Sequence, residues 1–552
     1  MVEWGVIGTG SISKAFCDSI RYSKTGRLSA VASRSKKNLK LFSEKHQANT
    51  YDSYEALFED DSVDAIYIGT PHNSHFELSL KALRNGKHVL CEKPMTMNST
   101  EAMILLNEAR LKKLFFMEAF MYRCHPLTHK MLELVKKEFI NQEVLIESSF
   151  GFTADVGEEH RLRNPELGGG SILDIGCYPM SMARLIAGTL MNKNFTDPLE
   201  MTASGELSSA NIDLSAKAEI KFNTDIRAII TSSINEEYEN SLRIKSQDKE
   251  IFVEQPWHCG QFQNQKAFVK LIKNDEVQDF EIKDEIGLFT REIDEASNCI
   301  LKGKIESSFM SHADSLSNSI WLDRWLDGMK VQYPANSVQS SSLANSVFLN
   351  KSNKLKSIQI PELQKELSPI VFGCDNQINE VHAFAMFDYF YSQGGKIFDT
   401  AYIYNNGLSD RYLGNWINSR NLNDVVVLGK GAHTPDCIPE KIKPQIEESL
   451  SRGNISKLDI YCLHRDNQEI PVAEFIDALN ECKDQGLIEV LGASNWELER
   501  FKSANDHADE VKKTGFKVLS NNFSLAKMIN PVWPGCISVS YTHLTLPTST
   551  HG

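Results

Sequence analysis

Only eleven of the 552 residues are cysteine, and no two stand in a C-x-x-C pair or at a repeated zinc-like spacing. This excludes a disulfide-stapled secreted scaffold and a zinc ribbon, and the cysteines read as reduced thiols of a cytoplasmic protein. No apolar stretch approaches the roughly 18 to 20 residues of a membrane span. The N-terminus enters the apolar run Val2 to Ile7 without a basic leader or a cleavage site, so neither export nor membrane insertion is expected. Basic charge is in deficit, 59 Lys and Arg against 73 Asp and Glu for a formal charge of −14. That argues against dispersed contact with nucleic acid or an anionic membrane and leaves a small molecule as the expected partner.

What is present is ordinary globular sequence, 41% hydrophobic and 24% charged, long enough for three or four domains at about 150 residues each. From residue 1 to 120, short apolar runs (Trp4–Ile7, Leu28–Ala32, Ala65–Ile68, His88–Cys91) alternate with helical spacing (Lys36–His46, Phe76–Asn85, Ser99–Lys113), which predicts a doubly wound parallel sheet. Over 121–334 the pattern changes. Leu214, Ala216, Ala218, Ile220 and Phe222 alternate with polar residues, predicting a mostly antiparallel open sheet from Glu143 to about Val269, closed by helices at Leu288–Leu301 and Ala313–Met329. Residues 335–365 begin with a Ser-, Asn- and Lys-rich stretch and read as a linker. Over 366–540 six further strand–helix units follow, with strands at Ile370–Phe372, Lys396–Phe398, Val425–Leu428, Leu458–Cys462, Ile488–Leu491 and Lys517–Leu519. Residues 541–552 continue no hydrophobic pattern and read as a non-native tail.

The first strand runs into Gly8-Thr9-Gly10-Ser11-Ile12-Ser13 at the start of a helix. This is the dinucleotide fingerprint of a Rossmann domain with Ser13 in the third small position, its glycines allowing the backbone to approach a pyrophosphate held by helix N–H groups. The second strand ends at Ala32-Ser33-Arg34-Ser35, with no carboxylate to grip a ribose 2′-hydroxyl. Ser33 and Arg34 suit a 2′-phosphate, so NADP is favoured over NAD. The alternative for Arg34 is a solvated loop.

Further along stand Thr70-Pro71-His72-Asn73-Ser74-His75, then Glu92-Lys93-Pro94, and later Gly168-Gly169-Gly170-Ser171-Ile172-Leu173-Asp174-Ile175-Gly176-Cys177-Tyr178-Pro179. Lys93 falls at the C-terminal edge of a parallel sheet, where such folds bind ligands. Asp174 and Tyr178, four apart, would share a helix face. A tyrosine beside a lysine has its phenolate stabilised toward working pH, as proton transfer coupled to hydride transfer requires.

With the fingerprint, these motifs resemble the Gfo/Idh/MocA oxidoreductase family over about residues 1–334. Met117-Glu118-Ala119-Phe120-Met121-Tyr122-Arg123 resembles its dihydrodiol dehydrogenase and glucose–fructose oxidoreductase members. The resemblance implies Lys93 and Tyr178 as proton-transfer and substrate-orienting groups, with Asp174 holding a substrate hydroxyl or orienting its neighbours. It also implies cofactor contacts from Gly8, Thr9, Gly10, Ser11, Ile12, Ser33, Arg34, Thr70, Pro71, His72, His75, Glu92 and Lys93. His75 sits in the family's loop beside the nicotinamide, though either histidine could simply cap a helix. Arg161 and Arg163 suit substrate oxygens or a solvated loop equally. Self-association through the open sheet is a further implication, giving a homo-oligomer.

In the C-terminal region Asp399, Tyr404, Lys430 and His464 follow strand ends in that order, and Gly492-Ala493-Ser494-Asn495-Trp496 follows the fifth strand. These residues resemble the aldo-keto reductase family. By that resemblance Tyr404 is the general acid, Lys430 lowers its pKa, Asp399 pairs with Lys430, and His464 orients the carbonyl. Residues 369–540 number 172, against about 250 for an eight-stranded barrel. The fold class expected is therefore α/β: a Rossmann domain, an α+β domain with an open antiparallel sheet, then an incomplete (β/α)8 barrel whose cofactor site is missing. The expected function is NADP-dependent interconversion of hydroxyl and carbonyl groups on a sugar, polyol or cyclic diol by the N-terminal module, the C-terminal one being inactive. The alternative is a dinucleotide-sensing regulator without catalysis.

Overall fold

The computed structural model describes residues 1–258, 266–274, 276–336, 355, 357–524, 528–532 and 534–540. Most of the expected linker and the expected tail at 541–552 lie outside the described residues. The chain divides into two compact units, Met1–Asn345 and Ser346–Gly552.

The first unit begins with six parallel strands, β1 (Val2–Ile7), β2 (Gly26–Ala32), β3 (Asn49–Tyr51), β4 (Ala65–Ile68), β5 (His88–Glu92) and β6 (Phe116–Ala119). Their order is β3-β2-β1-β4-β5-β6, the doubly wound arrangement. Apolar burial drives it: β4 is wholly buried, and Phe16 stacks on Tyr67 at 4.0 Å with Trp4 edge-on to Phe16 at 5.7 Å. The order reverses between β2 and β4, both of which flank β1, so a crevice opens at the C-terminal ends of β1 and β4.

An eight-stranded sheet follows: β7 (Val144–Gly151), β8 (Glu200–Leu207), β9 (Asp213–Lys221), β10 (Ile226–Ser233), β11 (Ser241–Lys245), β12 (Lys249–Glu254), β13 (Lys266–Lys273) and β14 (Glu276–Lys283). Its order is β14-β13-β12-β11-β7-β10-β9-β8. The sheet is mixed rather than antiparallel throughout, because β7 and β10 pair in parallel. It also runs past Val269 into β14. The helix Cys177–Leu190, buried at every position, fills the space against its inner face, its one charge, Arg184, paired with Asp314 at 2.8 Å. The helix Leu288–Leu301 turns back onto the nucleotide-binding sheet, where Ser297 accepts from the Trp4 indole at 3.0 Å and Asp294 takes Thr25 Oγ1 at 2.7 Å.

The second unit is a six-stranded parallel sheet in sequence order, β15 (Val371–Gly373), β16 (Ile397–Asp399), β17 (Val426–Gly431), β18 (Leu458–Leu463), β19 (Ile488–Ser494) and β20 (Val518–Ser520), with helices between. Leu363 and Leu367 close one end of its interior against Ile397, Val426, Leu428 and Ile460.

Candidate active sites

Gly8 has φ +97°, a conformation L side chains rarely adopt, and a Cβ there would stand 2.8 Å from the Gly69 carbonyl oxygen. Ser13 Oγ donates to that carbonyl at 3.3 Å, so the third small residue of the fingerprint fastens β4 to the helix Ser11–Ile20. Gly10 precedes that helix and no side chain caps it. The first-turn amides, including those of Ser11 and Ile12, therefore suit the pyrophosphate of a dinucleotide, and the room around Gly10 lets the backbone approach it. Thr9 Oγ1 lies 3.0 Å from Ser33 Oγ, which joins the fingerprint loop to the end of β2. Arg34 is exposed beside them.

Ile7, Ile68 and Cys91 stand in register across β1, β4 and β5, so the Lys93 loop shares the sheet edge with this cradle, roughly 10 Å away at two strand spacings. The Lys93–Pro94 peptide is cis. Lys93 Nζ donates to the Asp174 carbonyl oxygen at 2.6 Å, lies 3.7 Å from Asp174 Oδ1, and sits 5.2 Å from the centre of the Tyr178 ring. Arg161 Nη1 donates to the same Oδ1 at 2.8 Å, and His72 Nε2 lies 3.7 Å from it. Burial alone would raise the Asp174 carboxyl, but the charges of Lys93 and Arg161 hold it well below the usual carboxylate range. Arg163 instead braces the loop through the Ala154 carbonyl.

Asp174 is carried by a single π-helical turn, Ile172–Gly176, that runs into the helix bearing Tyr178. A π-helical turn thus stands where a regular helical face was expected, and the Asp174 carbonyl in it accepts from Lys93. The expectation that Lys93 brings the Tyr178 phenol down toward working pH is not met: burial first, then the charges of Glu92, Cys177 and Asp174, push it well above its ordinary value. Its hydroxyl meets Met121 Sδ at 3.7 Å.

Three expected cofactor contacts also differ. Both ring nitrogens of His75 face backbone carbonyls, Nδ1 at Pro94 and Nε2 at Thr70, each 2.8 Å away; burial favours the neutral ring, whose single N–H donates to one of them. His72 Nδ1 faces the Gly168 carbonyl at 3.2 Å, which makes Nδ1 the protonated nitrogen and Nε2 an acceptor. Burial pushes this histidine down to about 3, against the pull of Asp174. Glu92 is a buried acid whose Oε1 accepts from the Tyr67 hydroxyl at 2.6 Å. Thr70 Oγ1 accepts from Ser74 at 2.7 Å, and Pro71 is exposed at the same loop.

The surroundings of Tyr178 are aromatic on several sides, which its own motif does not show. Phe120, Tyr122, Phe150 and Trp257 stand with ring centres 5.4 to 5.9 Å from it. Phe120 and Tyr122 stand in the turn after β6, within the Met117–Arg123 motif, and no linear spacing connects them with Phe150 of β7 or Trp257 after β12.

In the second unit the four motif residues come together at the C-terminal ends of β16, β17 and β18. Lys430 Nζ lies 2.9 Å from Asp399 Oδ2 and donates to the Tyr404 hydroxyl at 3.1 Å, and the His464 ring stands edge-on to Tyr404 at 5.7 Å. Burial nevertheless raises the Tyr404 phenol, Lys430 only partly opposing it, and drives His464 strongly toward the neutral form. Among the described residues the sheet has six strands.

Residues 2–120 match the profile of the oxidoreductase family with an NAD-binding Rossmann fold, residues 128–251 the GFO/IDH/MocA C-terminal domain, and residues 370–532 the aldo/keto reductase family. The chain is 30% identical over 336 residues to a trans-1,2-dihydrobenzene-1,2-diol dehydrogenase of Xenopus laevis, which spans 60% of this chain and 99% of that enzyme. It is 38% identical over 188 residues to a D-xylose 1-dehydrogenase (NADP+) of Haloferax volcanii, 34% of this chain and 57% of that one. A crystal structure of a 3-ketoreductase from Actinomadura kijaniata with NADP and TDP-benzene shares the fold of the first unit, with TM-score 0.53 at 24% identity over 59% of this chain and 97% of that one. The chain belongs to the Gfo/Idh/MocA oxidoreductase family, and aldo/keto reductase sequence follows in the same polypeptide.

Proposed function

We propose that the first unit is an NADP-dependent oxidoreductase that interconverts a hydroxyl and a carbonyl on a sugar, polyol or cyclic diol. The observation that carries this is the meeting of Lys93, Asp174 and Tyr178 on the sheet edge that bears the Gly8–Gly10 cradle. When bound, the nicotinamide gives or takes the hydride. Lys93 spends one N–H on the Asp174 carbonyl and keeps others for a substrate oxygen. Tyr178, held protonated, is suited to donate to the oxygen of a carbonyl being reduced. Asp174, held ionised by Lys93 and Arg161, fixes their positions and can accept from a neighbouring substrate hydroxyl. The aromatic wall around Tyr178 suits the apolar face of a ring, as in a sugar or a cyclic diol. Arg34 and Ser33 supply the preference for a 2′-phosphate, in keeping with relatives named as NADP+ enzymes.

We further propose that the C-terminal tetrad contributes nothing to this activity, because every group of the first site comes from residues before 345. Buried free cysteines accord with a cytoplasmic setting. Among the described residues no helix is long and apolar enough to cross a membrane. The test is absorbance of the reduced nicotinamide when the protein meets NADP+ with D-xylose or trans-1,2-dihydrobenzene-1,2-diol, and NADPH with aldoses and diketones. Tight NADP(H) binding with no turnover across the panel would point instead to a sensor.

A further inference from the structure

Lys93 stands at the apex of a turn whose return leg is anchored with unusual care. Met95, two residues on, donates its amide to Glu118 Oε1 at 3.0 Å, and its carbonyl lies 3.9 Å from Cys91 Sγ. The next alternate amides follow suit: Met97 donates to Glu101 Oε2 at 3.0 Å and Ser99 to Asp323 Oδ2 at 2.9 Å. On the other side of the apex, the Pro94 carbonyl faces His75. Three alternate amides thus end on three carboxyl groups, brought from β6, from the helix Ser99–Lys112 and from the helix His312–Met329.

Glu118 is the member nearest Lys93 and the most deeply placed, 1% exposed. It pairs with Cys91 across β5 and β6, so its side chain rises from the sheet directly beside the turn. Burying an acid there is costly, and the local charges do not remove the cost. Asp314 opposes ionisation, Arg123 favours it, and burial prevails, pushing the carboxyl up to about 7 against the bonds from the Met95 amide and Ser315. A water-exposed turn would need no such acceptor. The acid instead fixes the height of Met95, and through one intervening residue the point from which the Lys93 side chain departs.

We propose that Glu118 is a positioning residue for Lys93, holding the Lys93–Met95 turn so that the ammonium stays in reach of the Asp174 carbonyl and the Tyr178 ring. The inference rests on the reading of Lys93 as a group that acts on substrate. A displacement of about 1 Å at such a group costs on the order of 10²-fold in rate.

The experiment is a double-mutant cycle on the full chain, with NADP+ and whichever of D-xylose and trans-1,2-dihydrobenzene-1,2-diol turns over faster, alongside hydrogen exchange of peptides covering residues 93–99. Glu118→Gln keeps the acceptor oxygen and is expected to stay within about threefold of wild type in kcat. Glu118→Ala is expected to lose roughly ten- to a hundredfold in kcat, with the KM for substrate and the Kd for NADP+ little changed and the Met95 amide exchanging faster. In a Lys93→Met background Glu118→Ala should cost nothing further in rate. Losses that multiply, an effect on NADP+ affinity alone, or unchanged exchange at 93–99 would overturn the proposal. If Glu118→Ala does not fold, Glu118→Met, which fills the space but offers Met95 no oxygen, takes its place in the cycle: a loss that vanishes in the Lys93→Met background supports the proposal, and equal losses in both backgrounds exclude action through Lys93. Normal turnover in Lys93→Met would sink the underlying reading instead, whereas loss in Lys93→Met with none in Glu118→Ala would sink only this one.

Discussion

The ammonium of Lys93 donates to the main-chain carbonyl of Asp174 across 2.6 Å, joining residues 81 apart in sequence. The bond fastens the end of β5 to the π-helical turn at Ile172–Gly176 and brings the lysine beside Tyr178. A regular α-helix through Asp174 would direct its carbonyl along the helix axis to the residue four ahead. Here the carbonyl accepts from Lys93 in the π-helical turn.

Tyr178→Phe should lower kcat by about 10² to 10⁴ while NADP+ affinity, measured by calorimetry, stays near wild type. The phenyl ring keeps the contacts to Phe120, Phe150 and Trp257, so thermal stability should change little.

Arg34→Ala should weaken NADP+ roughly ten- to a hundredfold and leave NAD+ nearly unaffected, since a charge-assisted phosphate contact contributes about 1.5 to 3 kcal/mol. Titration of both cofactors against both proteins checks this. Equal affinity for the two in wild type would contradict it.

Gly8→Ala forces a side chain into φ +97° and against the Gly69 carbonyl. Strain of about 1 to 3 kcal/mol is expected, together with loss of dinucleotide binding as the cradle opens. The melting temperature and NADPH fluorescence report the two effects separately.

Glu101, 5% exposed, has its carboxyl raised by burial to about 7. Its folded form therefore holds a proton more tightly than the unfolded chain does, and its contribution to stability is complete below about pH 4.5 and lost as the pH rises through about 7. Glu101→Gln removes that titration. Its stability relative to wild type should rise between pH 5 and pH 7.5, by at most about 3 kcal/mol, read from urea midpoints at the two pH values. A difference independent of pH would refute the assignment.

Tyr404→Phe should leave turnover of D-xylose and of the dihydrodiol unchanged, because Lys93, Asp174 and Tyr178 all lie in the first unit. A specific loss of that turnover would place chemistry at the second site.

The sequence was most readable where burial is regular. The strand Ala65–Ile68 and the helices Lys36–His46 and Leu288–Leu301 stand where their spacing predicts. The edge strand β8 lies inside the predicted sheet region and β14 beyond it; neither is marked by its own pattern, because mostly exposed side chains leave Glu200–Leu207 and Glu276–Lys283 little apolar alternation. Within the site, the glycine fingerprint and Lys93 were legible as local motifs. The placing of His75 between two backbone carbonyls, the turning of Glu92 to Tyr67 and the aromatic wall were not, since each depends on residues brought together from separate strands and loops. The upward shift of Tyr178 belongs to the same class, because burial rather than a neighbouring motif decides it.

The most direct test compares wild type with Lys93→Met in reducing NADP+ with D-xylose and with trans-1,2-dihydrobenzene-1,2-diol, NADP+ affinity being measured in parallel. The account expects wild type to form NADPH with at least one of them, and Lys93→Met to be slower by about a hundredfold or more at unchanged NADP+ affinity. NADPH formation at equal rates in both proteins, or none in wild type despite tight NADP+ binding, would contradict it.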